Sequence, residues 1–179
     1  IGNNEGVYSD NPATPPTARH VATAPRSRVG SLNAVPFHVL TCANNHIMDG
    51  GYQGMDDTLS TLAGQGIATT GAGDDIASAL RPAVIERKST RVAFLAVASV
   101  FPVGYEARAS RPGLAPLRVR TFYSSPDPTF WEPEVPPLIA SVPERDDLNR
   151  LQQAITAARE AADIVVVSCH WGNSSLYGV

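Results

Sequence analysis

The segment "PERDDLNRLQQAITAAREAADIVVVSCHWG", residues 143–172, restricts the fold more than any other part of the chain. Leu148, Leu151, Ile155 and Ala158 recur at helical spacing, so its first half predicts an amphipathic helix. The run "IVVVS" that follows is apolar at consecutive positions and therefore on both faces of a strand. Such a strand is expected inside a sheet covered on both sides, and a helix leading directly into it argues for a layered α/β fold.

The remaining punctuation is consistent with that class. "NPATPPTARHVATAPRSRVGSLN", 11–33, is rich in Pro, Ser, Thr and Ala and reads as surface loop with at most a short helical turn. "FHVLTCA" fits a short strand. Met55, Leu59, Leu62 and Ala63 predict an amphipathic helix over 52–65, stopped by Gly66, with Gln53, Asp56 and Asp57 on its watered side. "IATTGAG" reads as a strand entering a glycine turn, and "AVIERK" with "RVAFLAVAS" as a hairpin. Residues 102–143 are Pro-rich and aperiodic and read as an insertion or loop within a single domain covering 1–179. The chain opens on Ile1 and closes soon after a buried-looking strand, so it is read as a fragment truncated at both ends.

Polar groups concentrate at two strand ends. "TCANNHIMDGGYQGMDD", 41–57, follows the first apolar run, and "HWGN" follows the last. Loops beyond the carboxyl ends of strands are where α/β sheets hold side chains against a ligand. If the two strands are neighbours, Asn45, His46, Asp49 and His170 converge. Amide oxygen, imidazole and carboxylate are donors for a hard or borderline divalent metal, and a histidine beside it can donate a proton. The same residues admit a plainer reading. Asn44 and Asn45 can bond turn backbone, His46 and His170 can be satisfied loop histidines, and Asp49 can cap the next helix. Cys42 and Cys169 read as small buried thiols, with no metal-motif spacing. A net charge of −3 without a Lys/Arg run gives no footprint for nucleic acid.

"PFHVLTCANNHIMDGGYQGMDDTLSTLAGQGIATTGAG", 36–73, closely resembles the hallmark segment of the bacterial CapA-type capsule synthesis proteins, which are associated with poly-gamma-glutamate. The likeness continues through "ALRPAVIERKSTRVAFLAVAS", "PGLAPLRV" and "ADIVVVSCHWG", and "IGNNEG" resembles the family's early Asn-x-Glu motif. That family is similar in fold to calcineurin-like metallophosphoesterases, sandwiches of two β-sheets flanked by helices with a two-metal site on their loops. By this resemblance Asn45, His170 and Glu5 are metal ligands for Mn, Zn or a similar divalent ion. His46 is the proton donor, Asp49 orients it, and Asn3 and Trp171 contact substrate.

The resemblance also implies gaps. Its first acidic motif and its late histidine motif lie outside this sequence, and Asn173 and Ser174 stand where an acidic residue usually follows His-Trp-Gly. An incomplete metal site is therefore expected. Two functions stay open: a metal-dependent hydrolase or transferase acting on a phosphoester or amide of a cell-envelope polymer, and a non-catalytic accessory that binds an anionic polymer during capsule assembly. The resemblance places either at the cell envelope, membrane-anchored or extracytoplasmic, among membrane-associated capsule synthesis partners.

Overall fold

A computed structural model describes residues 1–13, 21–126 and 136–172. In chain order they form β1 (Gly2–Asn3), β2 (Val7–Tyr8), β3 (Thr23–Ala24), a 3-10 segment (Arg26–Ala34), β4 (Val39–Thr41), helix α1 (Gly51–Gly64), β5 (Ala68–Thr70) and β6 (Ala72–Gly73). There follow the short α2 (Ile76–Ala79), β7 (Ala83–Arg87), β8 (Thr90–Ala98), β9 (Gly113–Leu114), β10 (Val119–Ser124), β11 (Leu138–Pro143), α3 (Arg145–Ala161) and β12 (Ile164–His170). The architecture is mixed α/β. Among the described residues no helix is long and apolar enough to cross a membrane.

The first sheet has the order β1-β4-β5 and is parallel throughout. A parallel β4–β5 pair needs a crossover, and α1 supplies it. Met55 and Leu62 of α1 are fully buried against Leu40, Cys42 and Ile47, and Gly66 ends the segment at φ +73°. Thr58 is buried as well, because its hydroxyl donates to the Gly54 carbonyl at 2.7 Å and accepts from the Tyr8 amide at 2.9 Å. Asp57 departs from the expected watered face. It accepts from Ser9 Oγ at 2.5 Å and from Gln53 at 3.0 Å, and it tethers the amino-terminal strands to α1 rather than facing water.

The second sheet has the order β12-β8-β7, with β7–β8 antiparallel and β8–β12 parallel. Leu40, Cys42 and Ala43 at β4 share a core cluster with Ala96 and Ala98 of β8. The chain passes so closely there that a Cβ on Gly71, φ +98°, would lie 2.7 Å from the Ala43 Cβ and 2.8 Å from that of Ala96. On the other side, Ala158 of α3 and Ala162 just beyond its end pack on Ala93 and Leu95.

The β7–β8 hairpin turns on Lys88 and Ser89, both left-handed at φ 50° and 62°. Consecutive left-handed residues match a type I′ turn, which favours Asn-Gly because each ordinary side chain there is strained by about 1–2 kcal/mol. The Lys88→Asn/Ser89→Gly variant is therefore expected to raise unfolding stability by about 1 kcal/mol, visible as a higher urea midpoint at unchanged slope.

Cys42 is buried as expected, but Cys169 on β12 is exposed, and two further expectations are corrected. β12 was expected to be covered on both faces, but Ile164, Val166 and Val167 are 50%, 38% and 40% exposed. Only β8 pairs with it among the described residues, and α3 covers one face. The Pro-rich stretch 102–143 contains structure: β10 and β11 pair antiparallel from Val119↔Pro143 to Ser124↔Leu138. Both strands are exposed almost throughout. Period-two patterning reports burial of one face, so an arm with water on both sides carries none.

Candidate functional site

Asn44 builds the loop that carries the site. It is completely buried, and its Oδ1 accepts from the His46 and Ile47 amides, both at 3.0 Å. Its Nδ2 donates to Asn3 Oδ1 at 3.0 Å and to the Asn4 carbonyl at 2.8 Å. All of its hydrogen-bonding capacity is thus spent on joining the ends of β1 and β4, and the plainer reading is the right one for this residue.

With Asn44 turned inward, Asn45 turns toward the second sheet. Its Oδ1 lies 2.8 Å from His170 Nε2, across 125 positions of sequence. His170 is the last residue of β12, fixed in register opposite Ala98 and through its carbonyl by the Ser99 amide at 2.9 Å. Glu5 Oε1 stands 3.9 Å from the same Nε2, and Asn3 Nδ2 donates to Glu5 Oε2 at 3.0 Å. Asn3, Glu5, Asn45 and His170 therefore meet from three strand ends. Asn3 reaches the cluster by positioning Glu5, and its own Oδ1 is occupied by Asn44.

His46 points its Nδ1 at Asp49 Oδ2, 2.7 Å away. Asp49 is 2% exposed and also accepts from the Ala22 amide at 2.7 Å and from the Tyr105 hydroxyl at 3.4 Å. Its carboxylate is fully engaged there and does not cap α1, whose N-cap is Gly50 without a side-chain bond. Burial, followed by the Asp49 charge and hydrogen bond, pushes the Tyr105 hydroxyl up to about 12, so it remains a donor to the carboxylate. His46 keeps 22% of its side chain exposed, and its Nε2 is the ring nitrogen left for chemistry. Sequence reasoning missed Tyr105 and Ala22. One lies in the Pro-rich stretch, and the other acts through its backbone, which no side-chain pattern records.

Trp171 follows β12 and is 79% exposed. A cavity of about 400 Å³ opens beside Asn3 and Glu5, walled by Tyr8, Val21, Ala24 and Leu32. Among the described residues no three His, Cys, Asp or Glu side chains stand together as a metal cage. The donors that do converge are one imidazole nitrogen and two oxygens. Ligand atoms bound at about 2.0–2.2 Å stand roughly 3–3.5 Å from one another, and separations of 2.8 and 3.9 Å bracket that span. The cluster fits part of the coordination shell of a hard or borderline divalent ion.

Residues 1–178 match the family described as bacterial capsule synthesis protein PGA_cap. The chain is 35% identical over 150 residues to a probable polyglutamine synthesis accessory protein of Mycobacterium tuberculosis, covering 82% of this chain and 34% of that protein. It is 31% identical over 170 residues to the PGA biosynthesis protein CapA of Bacillus subtilis, covering 94% of this chain and 37% of the relative. A capsule biosynthesis protein CapA of Bacillus anthracis is 25% identical over 150 residues, 84% of this chain and 30% of its own length. The chain thus spans about a third of the length of these relatives.

Proposed function

Because the chain belongs to the bacterial capsule synthesis family PGA_cap, we propose that it is the part of a capsule-polymer protein that carries one side of a divalent-metal hydrolase or transferase centre. The observation that carries this reading is the meeting of Asn45, His170 and Glu5 beside a histidine oriented by a buried aspartate. The two sheets between α1 and α3 agree with a metallophosphoesterase-like sandwich, and residues outside this chain would complete the shell.

A bound divalent ion would supply Lewis acidity and an activated water at neutral pH. The chain's own residues do the rest. Asn45, His170 and Glu5 would hold the ion, with Asn3 fixing the Glu5 rotamer. Asp49 accepts a hydrogen bond from Nδ1–H of His46 and stabilises the imidazolium. His46 then releases its Nε2 proton to the departing oxygen or nitrogen and becomes neutral, with Nδ1–H still held by Asp49. The scissile bond on this reading is a phosphoester or amide of a cell-envelope polymer.

The full-length protein is expected to bind Mn²⁺ or Zn²⁺ by elemental analysis and to cleave a generic phosphodiester or poly-gamma-glutamate, with chelation abolishing turnover. Full-length protein that retains no metal after incubation and dialysis, and turns over neither substrate, would establish the second reading. That reading is a non-catalytic accessory binding an anionic polymer, and it draws support from the small number of ionisable ligands that meet here.

A further inference from the structure

The arginines scattered through the Pro-rich stretch and the start of α3 become neighbours in the fold. Glu106, 5% exposed, accepts on Oε1 from Arg108 Nη2 at 2.7 Å and Arg111 Nη2 at 2.8 Å. Asp147, 1% exposed, accepts from Arg118 Nε and Nη2 at 2.7 and 2.8 Å and from Arg150 Nη2 at 2.7 Å. Glu144 takes a two-pronged contact from Arg120 at 2.7 and 3.0 Å. The second and third groups are joined through the backbone, and the first flanks the same apolar cluster of Ala107, Ala115 and Leu151. The Glu144 amide donates to the Arg118 carbonyl at 2.7 Å. Hydrogen bonds to Asp147 push the Arg118 guanidinium further up against its partial burial, and the charges of Asp147, Glu106 and Glu144 add to the effect.

Three features distinguish this network from internal ion pairing alone. The segments 104–120 and 144–150 hold six arginines against four carboxylates, in a chain whose net charge is −3. Positive charge is therefore concentrated here while the remainder is acidic. The anchoring carboxylates of Glu106 and Asp147 are buried, but Arg108, Arg118 and Arg120 leave 63%, 47% and 69% of their side chains exposed. In all three, Nε and Nη2 are spent on the anchor. The Nη1 edge carries no hydrogen bond among the described residues. Guanidinium groups already fixed by an anchor lose little further freedom when their outer edge meets an anion.

We propose that Arg108, Arg118 and Arg120, backed by Arg111 and Arg150, form a docking track for an extended carboxylate-bearing polyanion. The charges are spread over an open surface rather than gathered in a pocket, which suits a chain of repeating anions and not a single small one. The absence of a Lys/Arg run in the sequence hid this surface. The assignment to a carboxylate polymer rests on the capsule-polymer reading above, whereas the track itself rests on the exposed guanidinium edges, and no step at His46 is needed for docking.

The test is a fluorescence-anisotropy titration of full-length protein with labelled poly-gamma-glutamate across a salt series. The Arg108→Gln/Arg120→Gln variant is suitable because Glu106 keeps Arg111 and Glu144 keeps 32% of its side chain in water, so neither carboxylate is stranded. It is expected to bind on the order of ten-fold more weakly, with the log–log salt slope reduced by roughly two. Lys88→Gln removes one positive charge from the exposed β7–β8 turn and is expected to change nothing, and the titration is run with a chelator present so that docking is read without turnover. Wild-type affinity in the double arginine variant, or an equal loss in Lys88→Gln, would overturn the track. Equal or tighter binding of polyphosphate or single-stranded DNA would overturn its assignment to carboxylates.

Discussion

In the full-length protein, His46→Ala is expected to lower turnover by about 10²- to 10⁴-fold while metal content stays near that of wild type, whereas Asn45→Ala and His170→Ala are expected to lose metal and turnover together. The division follows from what each side chain touches. Asn45 Oδ1 and His170 Nε2 point at one another across 2.8 Å, with Glu5 at 3.9 Å, so both belong to the donor cluster. His46 commits one ring nitrogen to a buried carboxylate, which leaves the other for the proposed proton transfer. A proton donor acts chiefly in the transition state, and removing it leaves ion binding in place. Removing a ligand opens the site itself.

Asp49→Asn sharpens the comparison. The amide can still take the Ala22 hydrogen bond through its oxygen, but it cannot stabilise an imidazolium with a full charge. Loss of an orienting carboxylate of this kind is worth about 10- to 100-fold, so turnover should fall by one to two orders with metal retained. Turnover and bound metal for the four variants decide the roles. If His46→Ala strips the ion as completely as His170→Ala, His46 is a ligand and the proposed division fails.

The parts of this molecule that were legible in the sequence are those where burial writes a pattern. Met55 and Leu62 mark the inner face of α1, and Leu151 and Ala158 mark that of α3, because each packs a single stripe on a sheet. The strand-end clusters were legible for a related reason: Asn45 and His170 are polar residues directly after apolar runs, and the chain must leave the sheet there. What failed to show has no such imprint. Asp57 looked like a solvated helix residue because periodicity cannot see Ser9, 48 positions away, donating to it. Val166 and Val167 looked interior because apolar identity records what a strand is able to bury, and not which neighbours reach it. Tyr105 was hidden in an aperiodic stretch, although burial and the Asp49 contact bind it firmly to the site. The arginine track was invisible because the residues that share a carboxylate are spaced by loops and by the β10–β11 arm.

Asp147→Ala is expected to cost about 3 kcal/mol of folding stability at neutral pH, the largest effect expected from a residue remote from His46. Asp147 is the buried anchor of α3 to the base of the arm: besides both guanidiniums it accepts the Arg118 backbone amide at 2.9 Å. Truncation strands that amide and leaves two cations without their counter-charge. The arginines are 47% and 39% exposed and can recover water, which keeps the loss at the low end of what breaking a buried pair costs. Burial by itself pushes the Asp147 carboxyl up, but the Arg118 side chain and amide, followed by Arg150, outweigh it and hold the group below its ordinary value. A carboxyl depressed in the folded state contributes stability that is present above the unfolded value of about 3.9 and disappears as pH falls through the lower folded value. The difference between wild type and Asp147→Ala, measured from urea midpoints, is therefore expected to be full at pH 7 and to shrink progressively below about pH 4. Part of the acid sensitivity remains in the variant, because Glu106 is depressed in the same sense: burial raises it, but the Arg108 hydrogen bond, backbone amides including that of Gly104, and the Arg111 charge outweigh that. A difference that stays constant from pH 7 to pH 3 would mean that Asp147 stabilises the protein by packing and not by its charge.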